Sequence, residues 1–458
     1  MNAPREGEHL EFKEAKTQYD TEKAIKYCVA IANEGGGRFI LGVSDKPPRK
    51  VVDSQAFRNS EDIKRRILDK VGFRVDVEEV FHPDGRVVVF HIPSRPRGTA
   101  YQYEGAYLMR TASGTDAMSE DRLRKIFDEG KPNFLAQVAA SDLASDDVVR
   151  LLDTQSYFDL LELPYPSTRE AVIQRFEREQ LIVSHDGLYD VTNLGAVLFA
   201  KKLEDFSTVW RKAPRVVVYL GAGKLHTKLD QIGSKGYAVG FQGLIEFINQ
   251  QAQLNEVVGK ALRREVKMFP EIAIRELVAN ALIHQDFEET GSSVMVELYS
   301  DRMEISNPGI PSISPERFID EYQSRNERLA DLMRRFHICE EKGSGIDKVV
   351  HSAEVYQLPA PDFRSGERRT TAVLFAHREF EEMSAEDRIR ACYQHCALLY
   401  VMNQKMTNQS LRERFKLPAG KAESVSRIIR DTLDVGRIKL DDPSSTSKRY
   451  AKYVPFWA

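Results

Sequence analysis

Apolar and polar positions change their period several times along the chain. Residues 21–32 follow helical spacing, Gly35, Gly36 and Gly37 break it, and Phe39-Ile40-Leu41-Gly42-Val43 is a run too short for a helix that predicts a buried strand. A second strand is predicted over 87–92, behind the turn Asp84-Gly85, and a third over 107–110. Residues 145–200 carry helical patterns, then the turn Asp186-Gly187 and the short run 189–192. Helices closed by a small hairpin predict a winged-helix-like connector.

Farther along, 215–220 predicts a strand, 241–261 a long helix, 271–286 another helix, and 294–299 with 302–306 a strand pair around Ser300-Asp301. The last stretch predicts helices near 387–401, 408–415 and 422–435, with strands at 438–440 and 450–453, a second winged-helix pattern. The expected architecture is α+β and multidomain: an α/β domain over 1–135, the helical or winged connector over 136–212, an α/β sandwich over 213–380 and a winged helix over 386–458.

Length and composition fit that division. A chain of 458 residues exceeds one ordinary core, and 42% hydrophobic beside 29% charged residues is globular composition. The net charge of −3 supplies no global attraction to nucleic acid, so contacts with it must come from local basic patches. Four scattered cysteines make no disulfide framework and no zinc spacing, and Cys392 and Cys396, four apart with His395 between them, read as packing. The N-terminus has no apolar signal core and no run of 18 apolar residues occurs, so the expectation is a cytoplasmic chain with no membrane partner.

Candidate chemistry begins in Arg5-Glu6-Gly7-Glu8-His9-Leu10-Glu11-Phe12-Lys13, read as acidic residues ahead of a helix, with Asp45 at the end of the first strand. Convergent carboxylates hold magnesium or manganese for phosphodiester cleavage. Glu6 to Glu11-Phe12-Lys13, then Ala30-Ile31-Ala32-Asn33-Glu34-Gly35-Gly36-Gly37 and Leu41-Gly42-Val43-Ser44-Asp45, resemble the Schlafen AlbA-type domain in order and glycine placement over roughly residues 5–120. That resemblance implies nucleic-acid binding and, in some members, a metal-dependent endonuclease using three carboxylates, which by motif position are Glu6, Glu11 and Asp45. Lys13, Arg38, and Arg95 and Arg97 of the rigid loop 93–98 are the nearby candidates for backbone phosphates.

In the helix predicted over 271–286, Glu276, Asn280 and His284 recur every four residues and share one face. A stripe of polar groups on a largely apolar helix is costly to bury without partners and so marks a site. Downstream lie Asn307-Pro308-Gly309 and Gly343-Ser344-Gly345 at a helix start, where backbone N–H groups cradle phosphate. The order of these pieces resembles the GHKL ATPase fold, in the divergent form labelled after the C-terminal part of a recombination helicase. The resemblance implies ATP as ligand, Glu276 orienting water, Asn280 on magnesium, Gly309 in the first glycine box, Gly343 and Gly345 in the second, and Thr370 with Thr371 as the last box. Asn326 matches a position frequent in this subgroup. Where the family carries an aspartate that reads the adenine amino group this chain has Asn307, whose amide oxygen offers an acceptor in its place. No Gly-x-x-x-x-Gly-Lys-Ser/Thr loop occurs, and Gly221-Ala222-Gly223-Lys224 fails the spacing, so a helicase motor is excluded.

In the last forty residues, Arg427, Arg430, Lys448 and Arg449 are the candidates for nucleic-acid contact through a recognition helix and wing. Two function classes stand side by side: a metal-dependent endonuclease of defence or stress response, and an ATP-responsive DNA-binding transcriptional regulator without catalysis. A homo-oligomer is expected from the GHKL resemblance.

Overall fold

A computed structural model of the chain describes residues 7–45, 48–111, 114–130, 133–252, 254–258, 263–339, 344–443 and 451–458. Glu6, Gly343, Lys448 and Arg449 lie outside the described residues. The chain is mixed α/β and divides into two units, residues 1–132 and 133–458.

The first unit runs β1 (Leu10–Lys13), α1 (Thr21–Asn33), β2 (Gly37–Leu41), α2 (Ser60–Val71), β3 (Asp76–His82), β4 (Gly85–Ile92), β5 (Gln102–Tyr103), β6 (Ala106–Thr111), β7 (Gly114–Ala117) and α3 (Glu120–Asp128). One sheet has the order β1-β2-β4-β3, with β1 parallel to β2; β5, β6 and β7 form another. The stretch read as a charged lead into a helix is thus a strand, β1, in which Glu11 and Lys13, two apart, share a face. Asp20 caps α1 by accepting from the Lys23 N–H. Gly37 is required where β1 enters: a Cβ there would come within 2.1 Å of the His9 carbonyl oxygen. Ile25, Cys28, Phe39 and Phe90 build the core, with Tyr27 stacked on Phe39 at 5.1 Å.

The second unit opens with β8 (Val138–Leu143), α4 (Ser145–Leu151), α5 (Thr154–Leu160), α6 (Arg169–Arg178), β9 (Ile182–His185), β10 (Leu188–Thr192) and α7 (Asn193–Phe199), in which β8, β10 and β9 form an antiparallel sheet. Next come β11 (Arg215–Tyr219), β12 (Thr227–Ile232), α8 (Tyr237–Gln251), β13 (Leu254–Val258), β14 (Arg263–Lys267), α9 (Glu271–His284), β15 (Met295–Leu298), β16 (Arg302–Pro308), α10 (Glu327–Arg335), α11 (Gly345–Val355), β17 (Asp362–Ser365) and β18 (Arg369–Phe375). The helix expected over 241–261 is shorter and starts earlier: α8 ends at Gln251, and the β-branched Val257-Val258 belongs to β13, paired antiparallel with β14.

Six strands in the order β12-β11-β15-β16-β18-β17 make the central sheet. The central helix α9 packs on β16 between α8 and α11. It is buried on nearly every side, as its run of Ala, Ile, Leu and Val demands. The chain ends with α12 (Ala385–Val401), α13 (Asn408–Arg414), α14 (Ala422–Asp434), β19 (Ile438–Leu440) and β20 (Tyr453–Pro455), three helices closed by a two-stranded antiparallel sheet. Ser384 and Asp387 form a capping box at the start of α12. These last elements share a core that also takes in Ile319, Val350 and Ala360. No described helix is long and apolar enough to cross a membrane.

Candidate functional site

Glu11, only 2% exposed, lies inside the first unit and is neutralised by two cations. One carboxylate oxygen meets the buried Arg110 guanidinium, and the other lies 2.6 Å from the Lys13 ammonium. Asp45, half exposed, accepts the Glu14 N–H at 3.1 Å with one oxygen and faces Lys13 at 3.8 Å with the other. Burial opposes the charge on Lys13, but Glu11, Tyr27 and Asp45 outweigh it and raise its pKa. Two of the three carboxylates expected at this point therefore converge on one ammonium.

An all-oxygen donor set suits a hard divalent ion. As they stand, both Glu11 oxygens are met by Arg110 and Lys13, and the Lys13 ammonium occupies the place between Glu11 and Asp45 that such an ion would take. Arg110 escaped the sequence reading. Its signal is a basic residue on an otherwise apolar strand, which has to find a carboxylate when buried.

Of the other cations, Arg38 and Arg97 are exposed. Arg95 is committed elsewhere: its two terminal nitrogens hold Glu129 at 2.6 and 2.7 Å and its Nε donates to the Asn33 carbonyl. It pins the loop rather than presenting a charge.

The second unit contains a cavity of about 140 Å³ between α9, β16, β18, the start of α11 and the segment 311–325. Glu276, Asn280 and His284 all line it from α9, and Asn307 lines it from β16. Gly345 sits against the first two: a Cβ there would come within 2.6 Å of Glu276 Oε2 and 3.7 Å of Asn280 Nδ2. The positive end of α11 thus abuts the Glu276 carboxylate.

Asn307 is 7% exposed, and its Nδ2 donates to the Pro308 carbonyl at 3.0 Å, with the His284 carbonyl at 3.4 Å. With the amide nitrogen turned to carbonyls, its oxygen remains as an acceptor. His284 is pushed down to about 4 by burial and by Arg325, so its imidazole is neutral at pH 7. Gly309, at φ +98°, is required because a Cβ would meet the Asp286 Cβ at 2.7 Å, and its carbonyl accepts from Thr370 Oγ1 at 2.8 Å.

Thr370 and Ala372 line the cavity, whereas Thr371, one position along the strand, points to the other face of the sheet opposite Ser306. Asn326 is not in the lining. Its side chain donates to the Ile283 and Gln285 carbonyls and so closes the end of α9. Lys224, of the rejected glycine loop, pairs with Glu297 at 2.6 Å. Phe318, Tyr322, Arg325, Phe363 and Cys339 also line the cavity, and sequence spacing gave no hint of them because most lie in irregular chain.

Cys339 is half-buried, whereas Cys28, Cys392 and Cys396 are buried. Burial raises all three of these thiols, Cys392 to about 12. His395 Nδ1 meets Glu354 at 3.0 Å, so the Cys392–Cys396 stretch belongs to packing. On α14, Arg427 and Arg430 are exposed, three apart on one face, and make no ion pair among the described residues.

Comparison with known proteins assigns two of these regions. Residues 6–119 match the family model "Schlafen, AlbA_2", and residues 291–374 match "Putative ATP-dependent DNA helicase recG C-terminal". The chain thus carries a segment similar to the Schlafen AlbA_2 family, followed by an ATPase-like segment similar to the second. No curated protein matches the chain.

Among solved structures, the DIP2311 protein from Corynebacterium diphtheriae is 16% identical, with 98% of this chain and 92% of that chain covered and a TM-score of 0.44. The N-terminal domain of a "Putative ATP-dependent DNA Helicase RecG-related Protein" from Nitrosomonas europaea is 15% identical, with 26% and 89% covered and a TM-score of 0.18.

Proposed function

We propose that the chain is a nucleotide-responsive nucleic-acid-binding protein whose central cavity takes ATP with magnesium. One observation carries the reading: Glu276 and Asn280 of α9 converge on Gly345 at the N-terminus of α11, in the same cavity as the Asn307 acceptor. A helix N-terminus attracts phosphate, Asn280 offers an oxygen to magnesium, Glu276 is suited to orient water, and Asn307 accepts from an exocyclic amine. On this reading the six-stranded sheet and its helices are a GHKL-like sandwich. The connector and the C-terminal elements are winged helices, and Arg427 and Arg430 meet phosphates. Dimerisation through the ATPase-like part is a further element of the proposal.

The decisive binding test is calorimetry with ATP and magnesium on the full chain and on Asn280→Ala. Binding lost in the variant supports the reading; equal affinity in both removes ATP from this cavity.

A second reading, metal-dependent cleavage by the N-terminal domain, is favoured by the convergence of Glu11 and Asp45 on one cation position. With Glu6 they would hold magnesium or manganese, and the metal would activate the attacking water. Labelled tRNA and single- and double-stranded DNA, incubated with either metal and with or without ATP, separate the two. Cleavage that Asp45→Ala abolishes makes the protein a nuclease, whereas salt-sensitive binding without cleavage leaves the regulator.

A further inference from the structure

The segment between β16 and α10 has two faces. Ile313, Phe318, Glu321 and Tyr322 line the central cavity. The residues between them turn the opposite way, into the C-terminal elements. Ile319 is part of the core formed by α12, α13 and α14. The Glu316 carboxylate pairs with Arg437 at 3.0 Å, and its carbonyl accepts from the Tyr393 hydroxyl. Arg317 lies over the Trp457 ring at 4.9 Å, and the Trp457 indole N–H donates to Tyr393 at 3.1 Å. The same short stretch of chain is a wall of the cavity and a seat for the C-terminal elements.

Size makes that arrangement matter. The cavity, about 140 Å³, is smaller than the roughly 300–1,000 Å³ typical of ligand pockets. A ligand as large as a nucleoside triphosphate therefore presses on the walls it enters between. Among the described walls, the sheet and α9 are packed core, whereas 311–325 is largely irregular chain, and it shifts only by loosening its hold on Arg437, Tyr393 and Trp457.

We propose that 311–325 is a lid over the cavity and that the C-terminal elements are its clasp, so that occupancy of the cavity and release of Arg437 and Trp457 are thermodynamically linked. Only the identity of the occupant rests on the nucleotide reading. The linkage is reciprocal. A polyanion that draws Arg437 away from Glu316 loosens the lid, and a ligand that displaces the lid frees Arg437, which directly precedes β19 and follows the exposed Arg427 and Arg430 of α14.

Hydrogen–deuterium exchange on the full chain tests this with Glu316→Gln, which alters only the lid side, and Trp457→Leu, which alters the clasp. Exchange across 311–325 should rise about threefold to fivefold in each variant, the range a single part-exposed contact supports, while 271–284 is unchanged. A lid with wild-type exchange in both variants overturns the clasp. Adding ATP with magnesium separates the two ideas. If ATP changes lid exchange in the wild-type protein and binds the variants with altered affinity, both stand. If ATP changes nothing while the variants still loosen the lid, the clasp stands and the nucleotide reading falls.

Discussion

Glu179 at the end of α6 accepts both terminal nitrogens of Arg335 on α10, at 2.9 and 2.7 Å, although the two residues are 156 positions apart. Arg328 joins at 2.9 Å and the Tyr157 hydroxyl at 3.0 Å, so one buried carboxylate ties the connector to the helix that follows the lid. Arg335 contributes most to holding Glu179 down at about 2. Glu179→Ala should destabilise the second unit by about 3 kcal/mol, since it strands partly buried guanidinium groups. A thermal unfolding midpoint equal to wild type would refute that role. Because the folded pKa lies below the ordinary 4.5, the contribution is complete above that value and is lost as pH falls towards 2.

Arg110 and Glu11 are both buried. Arg110→Met removes one of the two cations on buried Glu11, leaving Lys13 and the Tyr27 hydroxyl, and should cost about 3–5 kcal/mol in the first unit, by the usual penalty for breaking a buried pair. The double change Glu11→Gln with Arg110→Met should recover much of the loss. Additive losses in chemical denaturation would show that the pair is not coupled.

His284 gives a pH signature. Burial sets its folded pKa near 4, below the ordinary 6.5, so the unfolded chain takes up the proton first. Stability is therefore complete above 6.5 and declines as pH falls from 6.5 to 4. Imidazole NMR resonances should show a neutral ring at pH 6; a midpoint near 6.5 would contradict the burial argument.

Gly309→Ala places a methyl group against Asp286 at a positive φ. A loss of at least about 1 kcal/mol is expected, together with weaker ATP binding. Wild-type unfolding would mean that the turn relaxes freely.

Arg427→Ala and Arg430→Ala should each lower the slope of log affinity for duplex DNA against log salt by about 1. An unchanged slope in the double variant would place the nucleic-acid contact elsewhere.

Much of this was legible wherever periodicity is strong. The predicted helices at 271–286 and 422–435 and the strand at 438–440 correspond to α9, α14 and β19, because long apolar stripes and clear glycine breaks specify them. The face of α9 that carries Glu276, Asn280 and His284 was readable for the same reason. What was missed has its own causes. Strand β1 is a short edge strand whose charges mask its alternation. The end of α8 depends on pairing between β13 and β14, a tertiary preference. The choice of Thr370 over Thr371 needs a register that only β16 supplies. The partners Arg110 and Arg335 are far in sequence from Glu11 and Glu179, and no local pattern announces such pairs.

The contrast among the thiols has a practical side. Three cysteines are buried with suppressed acidity, and the fourth, Cys339, lies in the cavity wall. Alkylation needs access to the sulfur, and Cys339 alone of the four is not fully buried, so a small maleimide or iodoacetamide probe applied to the native protein should mark that wall preferentially. The unmodified sequence thereby offers a built-in reporter position, where a fluorophore or spin label would sense entry of a ligand with no engineered residue.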